Sequence, residues 1–489
     1  MTTETSSLPM AKDFSSFLSL EGASRKKSPL KGLLQYMKGD MVSLGGGLPH
    51  PSNFPFYSLS SDVTNMNPDA QVDSKNTAAL RENVVVPHGP QPGKVESLGA
   101  ALQYGLGTGI KSLREFCKEH VNQMHQPKYQ DWDVVLSCGN TDAFAKAVSM
   151  LCNRGDQILV EEWTYPAALE MMDPLGIRHV PVGMDSEGMS AVALKDLLDN
   201  WGSTPDQASE AKPRVVYLVP TGQNPTGATM SIQRRKDIIK VAQEHDLILI
   251  EDDPYYYLQF FVGEDKPTNG DSSSGWMPTL LSLDTDGRVI RLDTFSKTLA
   301  PGCRVGYMSM NAHFCTIVQY HNELTVQQPS GFSQALLAEM LVSQWGQEGY
   351  KRYLTEKVRT EYFNRSQHLQ ACFRKYVNPK FASFIEPNAG MFIWIKVHVD
   401  QHPRYGKVAD SVLMLELFNK CVENNVLMVP GWQFSCKPKP ANIDLSDLLG
   451  CWYDDQATYL RATFAYASFE DMEQAMIRYG ESLEAAFSA

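Results

Sequence analysis

Val289-Ile290-Arg291-Leu292 runs into Asp293-Thr294-Phe295-Ser296-Lys297-Thr298-Leu299-Ala300-Pro301-Gly302-Cys303-Arg304-Val305-Gly306-Tyr307, and the fold assignment turns on this stretch. The apolar run has the character of the end of a buried strand. Two hydroxyls, a lysine, a Pro-Gly turn and an arginine follow on the loop after it. Ligands of open α/β sheets collect at such carboxyl ends. A lysine there, flanked by hydroxyls and an arginine, suits a phosphorylated cofactor held covalently through an imine. In a chain with 44 Lys and Arg, one lysine near one arginine means little alone. The neighbouring segments carry the decision.

Bulk properties bound the alternatives. A chain of 489 residues exceeds one small core and suggests two domains. With 43% hydrophobic and 20% charged residues the composition is that of an ordinary soluble globular protein. The formal charge of -12 argues against nucleic-acid binding, which needs basic stripes. No run approaches the roughly 18 apolar residues of a membrane span, and the polar stretch Met1 to Ala11 has no secretory h-region. Nine scattered cysteines without a C-x-x-C fit reduced thiols in the cytoplasm, and no metal site is expected.

Outward from Lys297, strands and helices alternate. Strands are expected at Asp133–Ser137, Gln157–Val160, Val215–Val219, Leu247–Ile250, Val289–Leu292 and Val305–Met310. Helices are expected at Ile110–Met124, Ala143–Cys152 and Ser231–His245. This pattern implies a mostly parallel, covered sheet. After about residue 330 come helices at 331–346, 348–377, 410–424 and 469–486. Strands at 390–395, 427–429 and 459–464 complete a second, α+β domain. The division expected is an arm with part of the small domain at 1–55, a large domain at 56–330 and a small domain at 331–489. A turn of helix is expected near Leu30–Met37, and Val42–Pro51 reads as a short strand broken by Gly45-Gly46-Gly47. Those glycines serve either close approach to a ligand or a surface turn. Residues 66–98, rich in Asn, Asp, Pro and Gly, read as a long loop insertion.

Four further strand ends bear polar clusters: Cys138-Gly139-Asn140-Thr141-Asp142, Glu161-Glu162-Trp163-Thr164-Tyr165-Pro166, Pro220-Thr221-Gly222-Gln223-Asn224-Pro225-Thr226-Gly227 and Glu251-Asp252-Asp253-Pro254-Tyr255. If the strands are parallel neighbours, these clusters share the edge that carries Lys297. The small-residue turn at Gly139 presents backbone N–H groups to an anion, or is simply N-capped by Asn140 or Thr141. A carboxylate, an aromatic face, an amide and a phenol together suit a protonated heteroaromatic ring.

In this order, Gly-Gly-Gly-Leu-Pro, Gly-Asn-Thr, Asn-Pro-Thr-Gly, Asp-Asp-Pro-Tyr, the lysine segment and Gly-x-Arg-x-Gly resemble a fold-type I, pyridoxal-phosphate-dependent aminotransferase. The resemblance is to fungal aromatic-amino-acid and kynurenine/2-aminoadipate aminotransferases, from about Ser28 to Gly480. It implies a three-layer, mostly parallel α/β large domain with a smaller α+β domain, and pyridoxal 5′-phosphate as cofactor. It implies Lys297 as the imine-forming lysine and proton shuttle. Asp252 pairs with the ring nitrogen, with Asp253 as competitor, and Tyr165 stacks on the ring or serves only as a core tyrosine. Asn224 and Tyr255 meet the ring hydroxyl. Asn140, Thr141, Thr294, Ser296 and Arg304 hold the phosphate, and Tyr104 reaches it from the partner of a homodimer. Arg461 takes the substrate carboxylate, assisted by Asn224. Gly47 and Leu48 form a lip over the substrate, and Lys31 stands where some relatives place an arginine for a distal carboxylate.

The reaction implied is transamination of Phe, Tyr or Trp with 2-oxoglutarate or aromatic 2-oxo acids. A mainly 2-aminoadipate or kynurenine enzyme is the alternative. A lyase on the same scaffold and a cofactor-sensing DNA-binding regulator are the rivals, and the 40 arm residues leave little room for a DNA-binding domain.

Overall fold

The computed structural model describes residues 8–36, 38–66, 81–203, 207, 210–260, 275–437 and 457–488. The chain divides into two units. One comprises Met1–Arg154, Asp246–Pro254 and Pro267–Lys357, the other Gly155–His245, Tyr255–Lys266 and Val358–Ala489.

Seven strands carry the α/β part of the chain, four in the first unit and three in the second. In the first unit they lie in the order Trp132–Ser137, Gly306–Asn311, Val289–Thr294, Ile248–Asp252. Val289–Thr294 and Ile248–Asp252 are parallel, with Leu292 opposite Asp252. Gly306–Asn311 is antiparallel to both of its neighbours, so this part of the sheet is mixed. The reason is the short connection from Thr294 to Gly306, since a parallel partner would need a crossover of a dozen or more residues. Helix Asn140–Leu151 packs on these strands and buries Ala143, Phe144, Ala147 and Leu151. Burial of each aliphatic side chain contributes about 1.5–3 kcal/mol, which is why these strands read as continuous apolar runs.

The second unit holds Val215–Leu218, Gln157–Glu161 and Arg178–Val182, in that order and all parallel. Helix Ile232–Glu244 begins at an N-cap, Ser231, whose hydroxyl accepts the Arg234 N–H. A second sheet of the same unit has the order Ala382–Phe384, Phe392–Val397, Tyr459–Thr463, Val429–Pro430, all antiparallel. Helices Thr360–Tyr376, Asp410–Glu423 and Phe469–Phe487 share its hydrophobic core. Strand alternation turns Ile393, Ile395, Leu460 and Ala462 into that core. Arg461, opposite Trp394 in register, therefore faces away from it.

Several expectations change. Residues 66–98 are not all loop: Arg81–Pro87 is a strand, antiparallel to Ser58–Thr64, while 67–80 lie outside the described residues. The β-branched run Val84-Val85-Val86 outweighs the turn-forming residues around it. Val42–Pro51 forms no strand; its glycines are exposed, and without a pairing partner the short apolar residues do not hold extended sheet structure. Near Leu30 the helix is only a turn, Pro29–Gly32, followed by a 3-10 turn, Leu33–Tyr36. The long helical stretch after residue 330 is interrupted by π-helical turns at Glu339–Trp345 and Leu354–Arg359. Among the described residues, no helix is long and apolar enough to cross a membrane.

Candidate active site

In the first unit the chain leaves Val289–Thr294 and turns at once, Leu299 N–H donating to the Phe295 carbonyl at 2.8 Å. Lys297 lies half-buried on this turn. A 3-10 turn at Pro301–Cys303 follows, and Arg304 then adopts a left-handed conformation with φ 48°. That backbone disfavours a non-glycine residue, so the side chain must be held. Its Nη2 donates to the Cys138 carbonyl at 2.6 Å, and its Nη1 donates to Pro301 O at 3.0 Å and Ser296 Oγ at 3.4 Å. Thr294 Oγ1 donates to Ser296 Oγ at 2.9 Å and accepts the Ser296 N–H at 3.1 Å. Thr294, Ser296 and Arg304 are thus brought together as expected from the sequence. They meet Gly139, whose φ of 100° starts helix Asn140–Leu151. That φ favours glycine, and a Cβ there would also crowd Arg304 Nη2 at 2.6 Å.

The helix begins one turn earlier than its sequence suggests. Gly139 is the N-cap, and Asn140 and Thr141 are already helical, so neither caps it. Thr141 is exposed on the first turn. Asn140 points elsewhere: its Nδ2 donates to Asp252 Oδ1 at 2.6 Å and to the Leu292 carbonyl at 3.0 Å.

The two candidate aspartates separate by strand alternation. Asp253 lies on the face of Arg291, which it meets at 3.0 Å. Arg291 also pairs with Asp293 at 2.8 Å and Glu251 at 3.2 Å, all of them buried. Burial pushes Asp293 up to about 6, against the pull of Arg291. Asp252, 7% exposed, faces Asn140 on the opposite side. The sequence reading missed this buried ionic cluster. Its signal was there, in Arg291 and Asp293 alternating within an otherwise apolar strand.

The segments flagged for specificity also meet within the first unit. Lys31 Nζ donates to the Gly105 carbonyl at 2.6 Å, and partial burial lowers its pKa. Gln103 Nε2 donates to the Pro49 carbonyl at 2.7 Å, tying the Gly47-Leu48 lip to the same turn. Tyr104, on that turn, is 62% exposed.

The second unit gathers the remaining residues. Arg461 Nη1 donates to Asn224 Oδ1 at 2.7 Å. Its guanidinium lies 4.3 Å from the Phe392 ring centre and 4.8 Å from that of Phe434. Burial lowers the Arg461 pKa, with Tyr255 and Tyr165 acting in the opposite direction. Tyr255 packs edge-on against Phe392, ring centres 5.7 Å apart. Tyr165 heads helix Pro166–Met172, and the Thr164 N–H before it donates to the Phe434 carbonyl at 2.9 Å. Asn224 is set by its neighbour: Gln223 Nε2 donates to the Trp163 carbonyl at 2.6 Å and to Glu161 at 3.1 Å. Phe392 and Phe434 went unnoticed in the sequence, because an aromatic residue in a strand reads first as core.

The first unit thus presents a half-buried lysine beside a guanidinium, two hydroxyls and a helix N-terminus, and the second an arginine held by an amide and two rings. The aminotransferase class I and II family model matches residues 65–476, and the chain belongs to that family. An aromatic amino acid aminotransferase of Schizosaccharomyces pombe is 38% identical over 97% of this chain and 98% of its own length. An L-tyrosine:2-oxoglutarate aminotransferase of Tapinella panuoides is 32% identical over 98% of this chain and 97% of its own. The crystal structure of an aminotransferase from Candida albicans superposes with a TM-score of 0.85. It is 32% identical, covering 98% of this chain and 100% of that one. The residues present fit pyridoxal phosphate. A guanidinium, two hydroxyls and a helix N-terminus form a donor set for a phosphate dianion, and the missing side chain of Gly139 leaves room for it.

Proposed function

We propose that this aminotransferase acts on aromatic amino acids, Phe, Tyr and Trp, with 2-oxoglutarate or aromatic 2-oxo acids as acceptors. Arg461 carries the amino-acid part of this reading: a partly buried guanidinium, oriented by an amide and two rings, with no ion pair among the described residues. A planar bidentate cation of this kind binds a substrate carboxylate. The aromatic preference is supported by the likeness to relatives with that activity, end to end.

Bound pyridoxal phosphate supplies an electron sink for the bonds at the substrate Cα. Lys297 would hold it through Nζ, and the same nitrogen, when free, would carry the Cα proton. Arg304, Thr294 and Ser296 hold the phosphate, together with the backbone N–H groups of Asn140 and Thr141. Asp252 would serve the ring nitrogen, Asn224 and Tyr255 the ring hydroxyl, and Tyr165 the ring face. Gly47 and Leu48 line the substrate side, with Lys31 fixing the arm beside them.

The enzyme is a cytoplasmic homodimer in this reading, with Tyr104 serving the partner's phosphate. Exposed Leu30, Leu44, Tyr57 and Tyr104 support a covered face in the first unit. Eight free thiols among the described residues support a reducing compartment.

The test is a donor panel measured as kcat/KM with 2-oxoglutarate. Phe, Tyr and Trp should lead; a tenfold lead for 2-aminoadipate or kynurenine would replace the reading, and ammonia release would mark a lyase. Lys297→Ala should lose at least about a thousandfold in turnover, and activity near wild type would overturn the assignment.

A further inference from the structure

Asn140 stands in the anion-binding turn, yet its side chain does other work. It occupies the first helical position after Gly139. Both N–H groups of its amide are engaged, with Asp252 Oδ1 at 2.6 Å and the Leu292 carbonyl at 3.0 Å. An amide has only two such donors. Exchanging its O and N would aim an oxygen at two acceptors, so the bonding pattern fixes its orientation. Its Oδ1 is buried without a hydrogen-bond partner among the described residues and can donate nothing. The side chain therefore has no donor left for a phosphate.

The two acceptors lie on adjacent parallel strands, with Leu292 opposite Asp252 in register. The amide bridges their carboxyl ends and fixes one carboxylate oxygen relative to the sheet. Helix Asn140–Leu151, packed on the same strands, holds the amide in turn. Thus the element whose N-terminus serves the phosphate also orients the carboxylate assigned to the ring nitrogen.

We propose that Asn140 is a positioning residue for Asp252 and not a phosphate ligand through its side chain. This rests on the cofactor roles proposed above. A carboxylate held in line keeps the ring nitrogen protonated, and a positively charged ring lowers the pH at which the lysine-linked cofactor loses its own proton. Loosening Asp252 raises that pH.

The holoenzyme gives two independent readouts, the pH midpoint of the cofactor absorption band and the phosphorus NMR resonance of its phosphate. Asn140→Ala should raise the midpoint by about one pH unit, the scale of one charge-assisted hydrogen bond, and leave the phosphorus resonance in place. Arg304→Gln, as a control, should move the phosphorus resonance. Asn140→Ser, which keeps one donor, should shift the midpoint less than Ala and serves if the Ala variant does not fold. In an Asp252→Ala background, Asn140→Ala should add no shift. A moved phosphorus resonance with an unmoved midpoint would make Asn140 a phosphate ligand. No change in either, or an equal shift without Asp252, would also overturn the proposal. Loss of amino-donor bleaching in the wild-type protein would instead overturn the aminotransferase reading, so the two failures are distinct.

Discussion

Two arginines bracket Lys297 in the chain and have opposite fates. Arg291 is fully buried and meets three carboxylates at 2.8 to 3.2 Å. Arg304 binds two carbonyls and a hydroxyl and forms no ion pair among the described residues. Their placement explains the difference. Arg291 lies within a strand, so alternation puts Asp293 on its own face, and parallel pairing brings Glu251 opposite. Arg304 lies on a turn, where the groups in reach are backbone carbonyls and side-chain hydroxyls. A compensated guanidinium organises the sheet, and an uncompensated one keeps its charge available. Arg461 is of the second kind. Glu161 is the mirror case: a buried carboxylate accepting from Gln223 and the Val219 N–H, pushed up to about 8 by burial.

The comparison breaks most sharply at Arg291. Replacing it with Met removes the cation that meets three buried carboxylates and should cost about 3–5 kcal/mol in urea unfolding. Arg304→Gln should leave the urea midpoint near wild type and weaken cofactor binding about ten- to a hundredfold, read by spectral titration. Equal destabilisation by both variants would erase the distinction. Arg461→Lys should raise KM about tenfold for amino donor and oxo acid alike, because an ammonium lacks the planar fork. A rise for only one of them would remove Arg461 from the shared carboxylate site.

The smallest effect concerns Glu161 and follows from the sign of its shift. Its folded pKa is raised from 4.5 to about 8. The folded state therefore keeps a proton that the unfolded chain releases. The stability this gives is complete below about 4.5 and is lost as pH rises to about 8. Relative to Glu161→Gln, the wild-type protein should lose at most about 1.4 kcal/mol between pH 6.5 and 7.5. Parallel stability curves for the two proteins would show that Glu161 titrates normally.

Much of this was legible in the sequence. The apolar runs before Lys297, Asn224, Tyr165 and Asp252 are strands, because continuous burial demands continuous apolarity. Thr294, Ser296 and Arg304 converge because they lie within eleven residues on one turn. Asn140 was not legible in this way, for a local reason. A polar residue after glycine at a strand end looks like a cap or an anion ligand, and only the adjacent strands show that its amide has nearer acceptors.

The chain by itself determined the family and marked Lys297, the 294–304 turn and Arg461 as candidates, since each rests on residue type and order along one segment. Only the tertiary structure put Asp253 on Arg291 and Asp252 on Asn140, gave the Asn140 amide a carboxylate partner, and paired Arg291 with three acids. It also flanked Arg461 with Phe392 and Phe434 and reversed the strand at Gly306. The physical reason is common to all of these. Which face a strand residue presents, and which partners it meets there, depends on pairing between segments distant in sequence.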